Sequence, residues 1–299
     1  MKRSGSIWAL AVAGCVIFSA ASAQDEARRD STGLPGDNFS LQGALEMFKK
    51  ATSPEEFEKL LNEPDNHVNN LDLNGDGDVD YIRVVGTVKG DAHVFVLQVP
   101  VAEKESQDIA VIELEKTGNE NAVLQIVGDG DIFGEMTIVE PDGGGKDDDE
   151  VEVESDDSPR GPHAGLASAM ILASPRIVVN VWPWPIVRFV YAPGYRAWVS
   201  PWRWRVYPAW WRPWHPLAWR VFHPFRVRHH AGFAVVRTHR VVGAHRIYAP
   251  GRVTSATVRA RHGAHVDRYR VTRKTTVHTR GGATKVKTTR TTTRVHKKR

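Results

Sequence analysis

Apolar positions along this chain change their spacing twice. Over residues 41–61 they recur at helical intervals, with Leu45, Met47 and Phe48 behind a cap at Ser40, then Phe57, Leu60 and Leu61 behind Ser53. The run SPEE at 53–56 places a cap, a proline at the first helical position and two acids on the positive end of the helix dipole. From Tyr81 the period becomes two. Residues 81–88, 92–101, 109–116, 122–127 and 135–140 are rich in Val, Ile, Phe and Tyr, and KGD, TGN and DGD separate them. Connections this short join antiparallel neighbours. Beyond residue 163 no fixed period survives. The expected fold class is therefore α+β: two N-terminal helices on a small antiparallel sheet, then a largely irregular Trp/Pro/Arg-rich basic segment, with short strands at 177–181 and 187–191.

The same scan divides the chain. Residues 1–23 read as a signal peptide: Lys2 and Arg3, an apolar run over 7–20, and small residues ending at Ala23, the expected cleavage position. A retained N-terminal anchor is the alternative. The single cysteine, Cys15, lies in VAGC, which resembles a lipoprotein box and makes Cys15 a possible lipidation site. The apolar run continues through Phe18, so cleavage after Ala23 is preferred; the product then has no cysteine and is held by packing or metal. Residues 24–38 form a flexible leader, 39–141 an acidic α+β domain, 142–162 an acidic disordered linker, 163–250 a Trp/Pro/Arg/His-rich basic segment and 251–299 a basic Thr-rich tail.

Charge sharpens this division. Residues 24–159 carry 34 acidic against 10 basic side chains, a net of −24, whereas residues 160–299 carry 28 basic side chains against Asp267 alone, a net of +27. The whole-chain value of +5 conceals this. Such asymmetry points to a charged polymer or surface, or to pairing of one half with the other.

One motif carries metal chemistry. DLNGDGDVD at 72–80 places Asp72, Asn74 and Asp76 at alternate positions, Gly77 at the bend, the Asp78 carbonyl next and Asp80 last. Calcium takes six to eight oxygen ligands at about 2.3–2.6 Å, and a curved loop of alternating oxygens supplies them. The segment resembles the calcium loops of EF-hands, dockerins and integrin-type propellers. It departs from the EF-hand where Arg83 replaces the bidentate Glu. Ca2+ is the expected cofactor; the alternative is a polar turn that binds nothing. Asp129, Asp131 and Glu135 form a weaker candidate, for which a hairpin turn is the default.

The wider stretch, VNNLDLNGDGDVDYIRVV from Val68 through KESQDIAVIELEKTG and AVLQIVGDGDIFGE, resembles an uncharacterised family of secreted proteins from Bacteroidota-type bacteria, also Trp/Arg/Pro-rich downstream. The resemblance implies export and no particular activity, with the protein periplasmic, outer-membrane-associated or secreted.

Nine of ten tryptophans fall between Trp182 and Trp219, interleaved with Arg and Pro. Arg203, Arg205 and Arg212 with Trp202, Trp204, Trp210 and Trp211 are the candidate polyanion-binding residues: cations beside flat faces that favour the membrane interface. The expected partner is an anionic envelope polymer or membrane surface. The alternative is that the segment folds back on the chain's own acidic half or packs its tryptophans as a core of its own, and nucleic acid is disfavoured because an exported chain seldom meets it. His229, His230, His223 and His239 suggest Zn2+ or Cu2+, but neighbouring arginines repel a cation, and that half has no cysteine and almost no carboxylate to complete a site. Glu113 and Glu115 read as the solvent face of a strand. No nucleophile motif, phosphate loop or HExxH is present, and a non-enzymatic protein is expected.

Overall fold

The structure is a computed structural model that describes residues 31–143 and 177–273 and a hairpin of 276–280 with 283–287. The signal segment with Cys15 and Ala23, and nearly all of the 142–162 linker, lie outside the described residues.

Two helices open the described chain, α1 (Leu41–Lys50) and α2 (Pro54–Leu61). Ser40 accepts a hydrogen bond from the Gly43 amide and Ser53 from that of Glu56, so each hydroxyl satisfies an amide the helix leaves open. Strands β1 (Arg83–Lys89), β2 (Ala92–Ala102), β3 (Glu105–Gly118), β4 (Asn121–Gly128) and β5 (Thr137–Pro141) follow as an antiparallel meander. A one-turn helix, α3 (Gly130–Phe133), links β4 to β5, with Asp129 as its cap. The expected hairpin turn at 129–131 is thus replaced by a capped helical turn.

The expected fold class is overturned. The sheet has six strands, and the sixth, β6 (Phe233–Val236), comes from the basic half; Phe233 pairs with Pro141 and Val236 with Ile138. Most helices lie C-terminal: α4 (Pro185–Val190), α5 (Trp219–Arg228), α6 (Val242–Tyr248) and α7 (Ala256–Arg273), before the β7 (Thr276–Arg280) and β8 (Ala283–Lys287) hairpin. The expected strand at 187–191 is helical because Pro185 starts a turn at the first helical position. Residues 177–181 form no strand.

Both faces of the sheet are buried, and this explains the difference. One face presents Phe95, Leu97, Ile112, Leu114, Leu124 and Ile126 to Leu45, Phe48, Phe57 and, from the basic half, Ile186, Val187 and Val190. The opposite face presents Val94, Val111, Val127 and Ile138 to Val241, Ala244 and Tyr248 of the loop before α6 and α6 itself. Each large side chain removed from water contributes about 1.5–3 kcal/mol. Residues 107–114 of β3 are consequently buried without interruption. The β1 edge is also covered: the Gly86 amide donates to the Trp198 carbonyl at 2.7 Å and the Ser200 amide to the Val84 carbonyl at 3.0 Å. Gly86 has no Cβ because one would lie 2.7 Å from that Trp198 oxygen. Among the described residues no helix is long and apolar enough to cross a membrane.

Candidate functional site

The loop at 72–80 curls through its own side chains. Asp72 accepts from the amides of Gly75 (2.6 Å) and Gly77 (3.0 Å), Asn74 from Asp76 (2.8 Å), Asp76 from Asp78 (3.0 Å) and Asp80 from Leu73 (2.6 Å). Gly75 and Gly77 take left-handed φ of 71° and 89°. Asp80 is buried, and burial, reinforced by the charges of Asp72 and Asp76, pushes its carboxyl up to about 7. Basic side chains from the other half close on this loop. His215 Nδ1 lies 2.8 Å from the Gly77 carbonyl and 3.4 Å from Asp78, His262 Nε2 lies 3.3 Å from the Leu73 carbonyl, and the Arg261 guanidinium occupies the space a Cβ on Gly75 would need.

The weaker acidic candidate is taken by arginine. Arg252 forks onto Asp129 and reaches Asp131 at 2.8 Å, and Arg270 lies 3.3 Å from Asp131. Arg252 is thereby held above its ordinary pKa by hydrogen bonds to Asp129 and Asp131, while the two arginines outweigh burial and hold Asp131 low. Asp129 and Asp131 therefore face guanidinium groups.

The aromatic ridge does not act as one surface. Trp211 is buried, in edge contact with Tyr81 at 5.2 Å and Tyr207 at 4.6 Å. Trp202 and Trp210 line a cleft of about 260 Å³ with Tyr81, Trp198, Glu55, Glu56 and Lys59, where the acids oppose an anion. Trp204 lies beneath Arg205 at 5.4 Å. Arg203, Arg205 and Arg212 are exposed.

The histidines separate, and two of them meet carboxylates of the acidic half. His229 goes to Glu46 at 2.7 Å, and the His223 ring lies tilted against Trp219 with centroids 4.7 Å apart. His239 Nε2 meets Glu113 Oε2 at 2.5 Å, and His245 Nδ1 meets Glu113 Oε1 at 2.6 Å. The Glu113 side chain is 0% exposed, His239 17% and His245 31%. Burial pushes the Glu113 carboxyl up to about 8 and the two imidazoles down, with His245 adding to the effect on His239. Within the described residues, this is the one set of three His, Asp or Glu side chains whose ligand atoms all lie within 4.8 Å of one another.

Local structure holds this set in place. Glu113 projects from β3 on the face that α6 covers, beside its β4 neighbour Gln125. Gln125 accepts from the amides of Arg240 (2.8 Å) and Val241 (3.3 Å) and donates to the Thr238 carbonyl (3.0 Å), fixing the loop that carries His239. Gly243 lets α6 approach, since a Cβ there would come within 2.7 Å of the Glu115 carboxylate. Glu113 is therefore a buried group and not the solvent face of a strand. His245 carried no signal in the sequence, and its pairing with Glu113 spans 132 residues.

Comparison with protein-family models, curated proteins and solved structures gives no match.

Proposed function

We propose that this protein is an exported, non-enzymatic envelope protein. Its basic half first covers its own acidic half, and its remaining exposed arginines hold anionic envelope polymer or lipid headgroups. The observation that carries this is the division of labour among the cations. Arg252, Arg270, Arg226 and Arg240 face Asp129, Asp131, Asp37 and Glu140, whereas Arg203, Arg205 and Arg212 are exposed on a tryptophan-bearing segment. Each arginine at an anionic surface contributes about 1 kcal/mol, so three supply about 100-fold in affinity. The test uses the full chain on anionic vesicles, lipopolysaccharide and neutral vesicles at low and high salt. The expected result is binding to the anionic surfaces alone, falling steeply with salt and about 100-fold weaker after Arg203→Gln, Arg205→Asn and Arg212→Gln. Equal binding to neutral vesicles would overturn this electrostatic account, and absent binding favours a self-contained structural protein; the ion pairs between the halves support that second reading.

Calcium at the 72–80 loop belongs to the same proposal. The loop geometry supports it: Asp72, Asn74, Asp76 and Asp80 curl around Gly77, and Asp80, raised by burial first, is raised further by the charges of Asp72 and Asp76, which a divalent cation would offset. The nearby Arg261, His262 and His215 compete with a cation. A full-chain melting temperature raised by millimolar calcium, and not raised in Asp76→Ala, is the expected outcome.

A further inference from the structure

We propose that Glu113, His239 and His245 form a binding site for one divalent transition-metal ion of the zinc class. The donor set is two imidazole nitrogens and one carboxylate, a combination suited to zinc and copper rather than to calcium or magnesium, which prefer oxygen. Three donors leave one position for water, as in open zinc sites.

The geometry points to a ligand rather than to a surface ion pair. Glu113 lies beneath α6 with no exposed side-chain area, and both of its oxygens face imidazole nitrogens. Arg240, next to His239 in sequence, turns to Glu140 at 3.4 Å. The two imidazoles face each other edge to face with ring centroids 4.5 Å apart. Zinc lies about 2.0–2.2 Å from nitrogen and oxygen donors, which sets tetrahedral donors roughly 3.4 Å apart. The present 2.5 and 2.6 Å contacts must therefore open by less than about 1 Å, which side-chain rotation provides. The ion would take the place of the direct hydrogen bonds between carboxylate and rings. The partly exposed His245 gives it a path from solvent. Gln125, hydrogen-bonded to three groups of the 238–241 loop, orients the His239 side without being a ligand.

The site also joins the two halves, since Glu113 belongs to the acidic half and both histidines to the basic half. Metal binding would therefore stabilise their association.

Full-length protein stripped with a chelator is titrated with Zn2+ by calorimetry and with Co2+ by visible absorption. Native protein is expected to take up one tight equivalent of zinc, to show the intense visible bands of tetrahedral cobalt with nitrogen and oxygen donors, and to melt at higher temperature with zinc. His245→Ala, at the partly exposed position, should weaken that equivalent at least about 100-fold and abolish the cobalt bands. His223→Ala together with His230→Ala, which are not members of the trio, should leave them unchanged. Cobalt bands absent from native protein would overturn the proposal without recourse to any variant. Zinc uptake and thermal shift unchanged in a folded His245→Ala protein would overturn it equally, assigning the metal to other histidines.

Discussion

Acid should loosen the contact between the halves at His93, by an amount the structure allows to be worked out. This histidine of β2 is 3% exposed, and its Nδ1 has no hydrogen-bond partner. It is enclosed by the rings of Tyr191 at 4.4 Å, Tyr195 at 5.6 Å and Phe95 at 6.4 Å, the two tyrosines coming from the basic half. Burial lowers its pKa from 6.5 to about 4, and Asp91 only partly offsets this. Between those two values the unfolded chain binds the proton and the folded chain does not. Stability therefore rises with pH across that window and is lost as pH falls through it; below about 4 both states are protonated and the loss stops. A shift of 2.5 units corresponds to about 3 kcal/mol. Asp80 and Glu113, raised to about 7 and about 8, act in the opposite sense, so the total profile does not isolate His93. The comparison that does is urea unfolding of native protein and His93→Leu, a swap of similar volume, from pH 7 down to 4. The native protein should lose about 3 kcal/mol relative to the variant over that range. A difference that stays constant within about 0.5 kcal/mol would refute the argument, because it would mean that the folded state accommodates the imidazolium.

Other sites give independent checks. Arg252→Ala should cost about 2 kcal/mol in urea unfolding, since it strands Asp129, whose side chain is 1% exposed. The value falls below the roughly 3–5 of a fully buried pair because Arg252 is 37% exposed. Adding Asp129→Asn, which keeps the helix cap, should recover part of that loss. Gly86→Ala should lower stability by about 1–3 kcal/mol, because its Cβ would meet the Trp198 carbonyl at 2.7 Å and push residues 198–200 off the β1 edge; hydrogen exchange should show the Gly86 and Ser200 amides losing protection together. Gln125→Leu should destabilise by about 2 kcal/mol, since it leaves the Arg240 amide and Thr238 carbonyl without that partner, and should weaken zinc binding about 10-fold or more through the displaced His239 loop.

The acidic half could be read locally because its elements are stabilised by neighbours in sequence. Ser40 and Ser53 cap helices three residues on, and the 2-residue alternation of β2, β3 and β4 with tight turns between them dictates antiparallel pairing. The alternation left one property open. It shows which residues share a face, but not whether a second layer covers the other face, and Glu113 looked solvated for that reason. The basic half offered no such handle. Its prolines remove local donors, so its backbone finds partners far away: Val253 donates to Asp108, Leu217 to Asn70 and Val181 to Ala122. Its cations were legible as cations, but which carboxylate each would face was not. The sequence by itself determined helix caps, strand alternation with tight turns and two oppositely charged halves. Only the tertiary structure decided that the second half supplies a sixth strand and the second face, and so brings His239 and His245 to Glu113 across 126 and 132 residues. The physical reason is that a sheet apolar on both sides must bury both, and period and charge do not say with what.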